Sequence, residues 1–128
     1  MDVIALTMWV TERVQSVING GGEVVTMLGD TPGHGRIPVG VVTLEYHGKI
    51  AYPHALWFPD ASPRNKLEIG LAFFLELKKD HTGMVFSAAE NEGYFNHLCT
   101  YGLLRKVGKV RDWYEDKVHA TLYQTVGN

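Results

Sequence analysis

Two periods of apolar residues alternate along this chain and divide it into nine predicted elements. Val10, Val14, Val17 and Ile18 fall at i, i+4, i+7 and i+8. That spacing predicts an amphipathic helix from Thr7 to Ile18, with Thr11, Glu12 and Gln15 facing out. Asn19 and three glycines end it. Glu23 to Leu28 is rich in β-formers and reads as a short strand. Gly29 to Arg36 carries three glycines, a proline and an aspartate, the chemistry of a connecting loop. Two longer β-rich runs, Ile37 to Tyr46 and Lys49 to Phe58, flank His47-Gly48 and predict a central antiparallel hairpin.

The helical period then returns. Ser62 is suited to an N-cap and Pro63 to the first helical position, where a missing N–H costs nothing. Leu67, Leu71, Phe74 and Leu75 form one stripe, widened by Ile69, Phe73 and Leu77, so the helix before Lys78-Lys79-Asp80 should be mostly buried. Met84 to Ala88 is a continuous apolar run, as expected of a strand covered on both faces in a parallel pair with a crossover helix. A short helix from Glu92 to Tyr101 follows, opened by Asn91 and closed by Gly102. Alternating strands from Leu104 to Arg111 and from Val118 to Gln124, with a turn over Asp112 to Asp116, predict a terminal hairpin.

Composition narrows the class. At 128 residues the chain suits a single domain spanning 1–128, able to bury one core. A net charge of −2 with 45% apolar residues is ordinary for a globular domain, and neither a disordered acidic tail nor a basic nucleic-acid binder. The single Cys99 forms no internal disulfide and reads as a small core side chain. No basic n-region stands before Val3-Ile4-Ala5-Leu6, and no apolar run approaches the ~18 residues of a spanning helix. Secretion and a membrane location are therefore not expected. The six histidines show no metal-ligand spacing, so no metal is expected.

The segment Met84 to Gly108, with Asn91 before the short helix and Gly102 after it, resembles the C-terminal half of the GCN5-related N-acetyltransferase (GNAT) family. The resemblance extends by element order over about Glu23 to Thr125. It implies an α/β (α+β) fold: a mixed sheet with splayed central strands, a shortened N-terminal side and a C-terminal β-hairpin. In the family, the short helix carries a pattern close to N-x-x-A-x-x-x-Y-x-x-x-G-F, whose Tyr often protonates the departing coenzyme A thiolate. Here the Tyr position is Leu98, the Ala position Tyr94 and the final Phe Leu103. The family also holds the cofactor pyrophosphate on a loop R/Q-x-x-G-x-G/A at the start of the main helix, where bare backbone lets phosphate oxygens reach N–H groups. Starting at Arg64, that pattern puts Leu67 and Ile69 on the glycine positions; starting at Asn65, it recovers Gly70 but sets Glu68 on the first.

The resemblance thus implies a scaffold that keeps the fold and loses much of the chemistry. By location, Glu45, His54 and Tyr101 are the candidates for acid-base roles, and Arg64, Asn65, Lys66 and Asn91 for holding coenzyme A. Tyr94 is a second possible acid, one turn early. Arg105, Lys106, Lys109 and Arg111 concentrate charge in one strand, but simple alternation divides them between faces. Trp113-Tyr114, in a predicted turn, is a candidate contact for a protein partner. The stretch Tyr94 to Gly108 is also similar to the tail of small GNAT-like proteins of tailed bacteriophages, some of them encoded among virion genes. The expectation is a pseudoenzyme without cofactor that works as a structural component in the virion or host cytoplasm, with other virion proteins or itself as partners. The alternative is an acetyl-CoA-dependent N-acetyltransferase acting on an unidentified amine.

Overall fold

The computed structural model describes Gln15, residues 19–31, Gly33 and residues 35–127. The helix expected from Thr7 to Ile18 lies outside these residues apart from Gln15. Among the described residues the order is β1 (Glu23–Thr31), β2 (Gly35–His47), β3 (Ile50–Trp57), α1 (Pro63–Leu77), β4 (Thr82–Ser87), a 3-10 turn (Ala89–Asn91), α2 (Glu92–Thr100), β5 (Leu104–Glu115) and β6 (Val118–Thr125). One mixed sheet is ordered β1-β2-β3-β4-β6-β5. All its neighbours are antiparallel except β3 and β4.

The loop expected at Gly29 to Arg36 is instead mostly strand. Gly29, Asp30 and Thr31 pair with Ile37, Arg36 and Gly35, and a bulge at Met27/Leu28 adjusts the register. Gly33 at φ +80° and Gly35 at φ +69° let the chain reverse within so few residues, a backbone region nearly closed to other residue types. The β2–β3 hairpin turns at Gly48 as predicted, with φ +60°.

Helix α1 starts at its predicted cap, where the Ser62 hydroxyl accepts the Asn65 N–H at 3.0 Å. Its buried face is Gly70, Phe74 and Leu77, at i, i+4 and i+7. Leu75, placed in the stripe by sequence, is half exposed. The core joins α1 and α2 to the sheet through Val42, Leu44, Ala51, Phe74, Val85, Leu98 and Tyr123. Leu98 and Tyr123 are fully buried, and the Tyr123 hydroxyl donates to Asn96 Oδ1 at 2.7 Å.

Helix α2 ends as its glycine predicts. Gly102 stands at φ +78°, its N–H donates to the Cys99 carbonyl, and the Leu103 N–H donates to the Leu98 carbonyl. Those two bonds form a Schellman cap. The helix start is different: Asn91 makes no side-chain capping bond, because the 3-10 turn Ala89–Asn91 already leads the backbone into the helix.

The last hairpin departs furthest from the sequence pattern. Trp113 and Tyr114 lie within β5, which runs on to Glu115. A wide irregularity sets the residues between Val110 and Glu115 against a much shorter stretch of β6. Its bend is at Asp112, with φ +53°. The Asp112 N–H donates to His119 Nδ1 at 2.9 Å, and Asp112 Oδ1 accepts the Lys117 N–H at 2.7 Å. These bonds hold a left-handed conformation that Asp tolerates better than most residues.

Candidate functional site

Strands β3 and β4 are paired only at Ile50–Thr82 and Ala51–Gly83. Beyond that point Pro53 has no N–H to offer a continuing ladder, and the strands part. The opening holds a cavity of about 430 Å³. Its walls include His54 and Trp57 from β3, Lys66 and Phe73 from α1, Phe86 from β4 and Tyr94 from α2.

Aromatic rings dominate this lining. Trp57 and Tyr94 meet edge to face at 6.4 Å, and the Lys66 ammonium lies 6.0 Å from the centre of the Trp57 ring. The Tyr94 hydroxyl donates to the Lys66 carbonyl at 2.8 Å. It presses onto the bare backbone of Gly70, where an added Cβ would lie 2.1 Å from the hydroxyl oxygen. Gly70 is therefore a packing glycine for Tyr94. Burial pushes the Tyr94 phenol up to about 12. Trp113 stacks on Phe86 at 4.2 Å and 6° between planes, while the Tyr114 hydroxyl donates to the Phe86 carbonyl at 3.1 Å.

Of the residues singled out by sequence, His54, Lys66, Asn91, Tyr94 and Tyr114 line this cavity. Glu45 lies exposed on β2, opposite Tyr52, and is not among the walls. Tyr101 caps the far end of α2, 56% exposed and stacked with His97, also away from the cavity. Leu98, at the family's acid position, is enclosed in the core. Arg64 is turned to solvent in an ion pair with Glu68 at 2.8 Å. Asn65 is buried against Gly29, whose added Cβ would stand 2.9 Å from the amide carbon. Sequence reasoning missed the role of Phe86 as the platform for Trp113, since neither residue carries a recognisable motif.

The start of α1 is the place where a nucleotide pyrophosphate would have to be held, and its donors are few. A helix begins with four N–H groups lacking internal partners. Here Pro63 has none to give, and that of Asn65 is taken by Ser62. At most Ser62 and Arg64 remain, with no glycine in the first turn to let phosphate approach. Among the described residues no group of three His, Cys, Asp or Glu could hold a metal, and no helix is long and apolar enough to cross a membrane.

No family model matches the chain, and no curated protein matches it in sequence. Solved structures do. A chimeric spermidine N-acetyltransferase from Vibrio cholerae superposes with a TM-score of 0.65 at 13% identity, over 90% of this chain and 74% of that one. A GNAT-superfamily phosphinothricin acetyltransferase from Sinorhizobium meliloti, solved with acetyl-CoA, gives 0.64 at 9% identity, over 94% and 69%. A ribosomal-protein-alanine N-acetyltransferase from Brucella melitensis gives 0.57 at 15% identity, over 98% and 79%. At such identities the likeness is one of architecture. The mixed sheet, splayed at β3 and β4 and carrying α1 and α2 among the described residues, has the GNAT fold.

Proposed function

We propose that this chain uses the GNAT fold as an interaction scaffold without efficient acetyl transfer, as a structural component of a tailed-phage particle. The observation that carries the non-catalytic reading is the self-satisfied first turn of α1, where Pro63 and the Ser62–Asn65 bond remove donors a pyrophosphate would need. Two further features support it. The family's acid position is the buried Leu98, and the one tyrosine of α2 on the cavity wall, Tyr94, already donates its proton to a backbone carbonyl. The phage assignment is supported by the resemblance of Tyr94 to Gly108 alone.

The test is a thermal shift with acetyl-CoA against acetate. Ligand at 100 Kd would stabilise the fold by about 2.7 kcal/mol, so its absence is easily read. The expected result is no shift, together with detection of the chain by mass spectrometry in purified particles. A clear shift with acetyl-CoA, transfer of acetyl to an amine and absence from particles would overturn the reading. One observation favours that second reading, an N-acetyltransferase: the cleft between β3 and β4 is retained and lined by aromatic rings.

A further inference from the structure

Strand β5 is an edge. It pairs with β6 on one side, and among the described residues no strand pairs with the other. Its exposed run is long, from Arg105 to Lys109, with Val107 47% exposed. Proteins blunt such edges by shortening them, with bulges and with lysines, because a row of unpaired N–H and C=O groups invites another strand; β5 keeps its length, so its bulge and its cations limit which strand it can accept.

A bulge decides how its charges are arranged. Lys106 lies opposite Tyr123 and Gly108 opposite Leu122, so Val107 is the extra residue. The slip brings Lys109 opposite Thr121, on the same side of the sheet as Lys106. That side faces α2, since Tyr123 bonds Asn96 and Thr121 bonds Glu92. Simple alternation had divided these two lysines. Arg105, opposite Gln124, projects from the other side. Arg105, Lys106, Lys109 and Arg111 are four of the chain's twelve basic residues, in a molecule of net charge −2. Among the described residues none of the four makes a salt bridge.

The basic character continues past the start of the strand. An open groove of about 620 Å³ begins at Arg105 and is lined also by Lys49, Lys78 and His81, with Asp80 its one carboxylate side chain.

We infer that the outer edge of β5 is a docking site for an extended acidic segment of another protein, added to the sheet as a seventh strand over Leu104–Val110. Backbone groups would supply the pairing, and acidic side chains would meet Lys106 and Lys109 on one face and Arg105 on the other. Charge also argues against a second copy as the occupant. Two β5 edges paired antiparallel would set this cluster of cations against itself, and like charges across strands destabilise a sheet. The inference rests on the interaction reading of the chain. The acetyl-CoA shift reads the cleft and not this edge, so the two can fail separately.

The probe is a short synthetic peptide alternating Glu with Val, its ends blocked, compared with a Lys-Val counterpart and with the acidic peptide N-methylated at alternate residues. Binding is followed by fluorescence anisotropy, and backbone amides by hydrogen exchange. The acidic peptide should bind, slow exchange between Leu104 and Val110, and weaken as salt rises. The Lys106→Glu/Lys109→Glu variant should bind about tenfold more weakly or worse while still unfolding in one cooperative transition, its loss of the charges beside Glu92 showing as a lower melting temperature. Lys106→Gln/Lys109→Gln should fall between the two. Methylation keeps the charge and removes strand pairing, so equal affinity for the methylated peptide would overturn the proposal. So would equal binding of the Lys-Val peptide, no binding at all, or a dimer whose protected amides are those of β5.

Discussion

The cleft between β3 and β4 and the outer edge of β5 are both interruptions of one sheet, and they treat their polar groups in opposite ways. At the cleft the chain answers its own needs: Ser62 takes the Asn65 N–H, Tyr94 serves the Lys66 carbonyl, Tyr114 serves the Phe86 carbonyl and the Ser87 hydroxyl turns to the Ala88 carbonyl. At the edge the ladder of β5 has β6 on one side and, among the described residues, no strand on the other. Polar backbone groups drawn away from solvent need partners within the chain, whereas an exposed edge can leave them to solvent or to a partner. The difference teaches that one sheet can close its polar groups within the chain at one interruption and leave them open at another.

The largest expected effect tests whether the acid position has become core. Leu98→Ala should destabilise by about 2–5 kcal/mol in urea melts, the range for a buried leucine. A near-neutral result would mean that position 98 faces the cleft after all. Gly102→Val comes next. No atom lies within 4 Å of its added Cβ, so the cost is conformational. A β-branched residue at φ +78° should lose more than about 1 kcal/mol.

Ser62→Ala addresses the closed helix start directly. Losing the cap should cost about 1 kcal/mol. Because Pro63 still lacks an N–H, acetyl-CoA should still produce no thermal shift. If binding appears in this variant, the cap alone was the barrier and the cleft is a dormant cofactor site.

Glu92 stands beside the lysines of the edge. The Thr121 hydroxyl bond, and behind it Lys106 and Lys109, hold its carboxyl below the usual range. A depressed carboxylate stabilises the fold above the ordinary glutamate range, and that contribution is lost as pH falls through the folded-state value. Urea melts of the parent and Glu92→Gln should therefore differ near neutrality and converge in acid. A gap that widens in acid would reverse the assignment. The smallest effect belongs to the edge itself: Lys109→Glu should change stability by no more than about 0.5 kcal/mol. A larger loss would show that the lysine supports the fold, and the edge would no longer contrast with the cleft.

Much of the frame is determined by local chemistry in the sequence alone. The hairpin at His47-Gly48, the Ser62-Pro63 start of α1, the Gly102 stop of α2 and the β-α-β run from Met84 onward are written in turn residues, caps and periodicity. These signals act over a few residues, so they survive without knowledge of the rest. That element order, together with Asn91 and Gly102 at their separation, is what resembles the GNAT fold. Other features depended on partners distant in the chain. Gly29–Thr31 became strand because β2 was there to pair with it. Trp113 and Tyr114 left their predicted turn because Phe86 offered a ring and a carbonyl 28 residues away from Tyr114. Lys106 and Lys109 came to share a face only through the Val107 bulge, and the crowded start of α1 set Asn65 against Gly29. Register, stacking and bulges are settled by which surfaces meet, and only the tertiary structure brings those surfaces together.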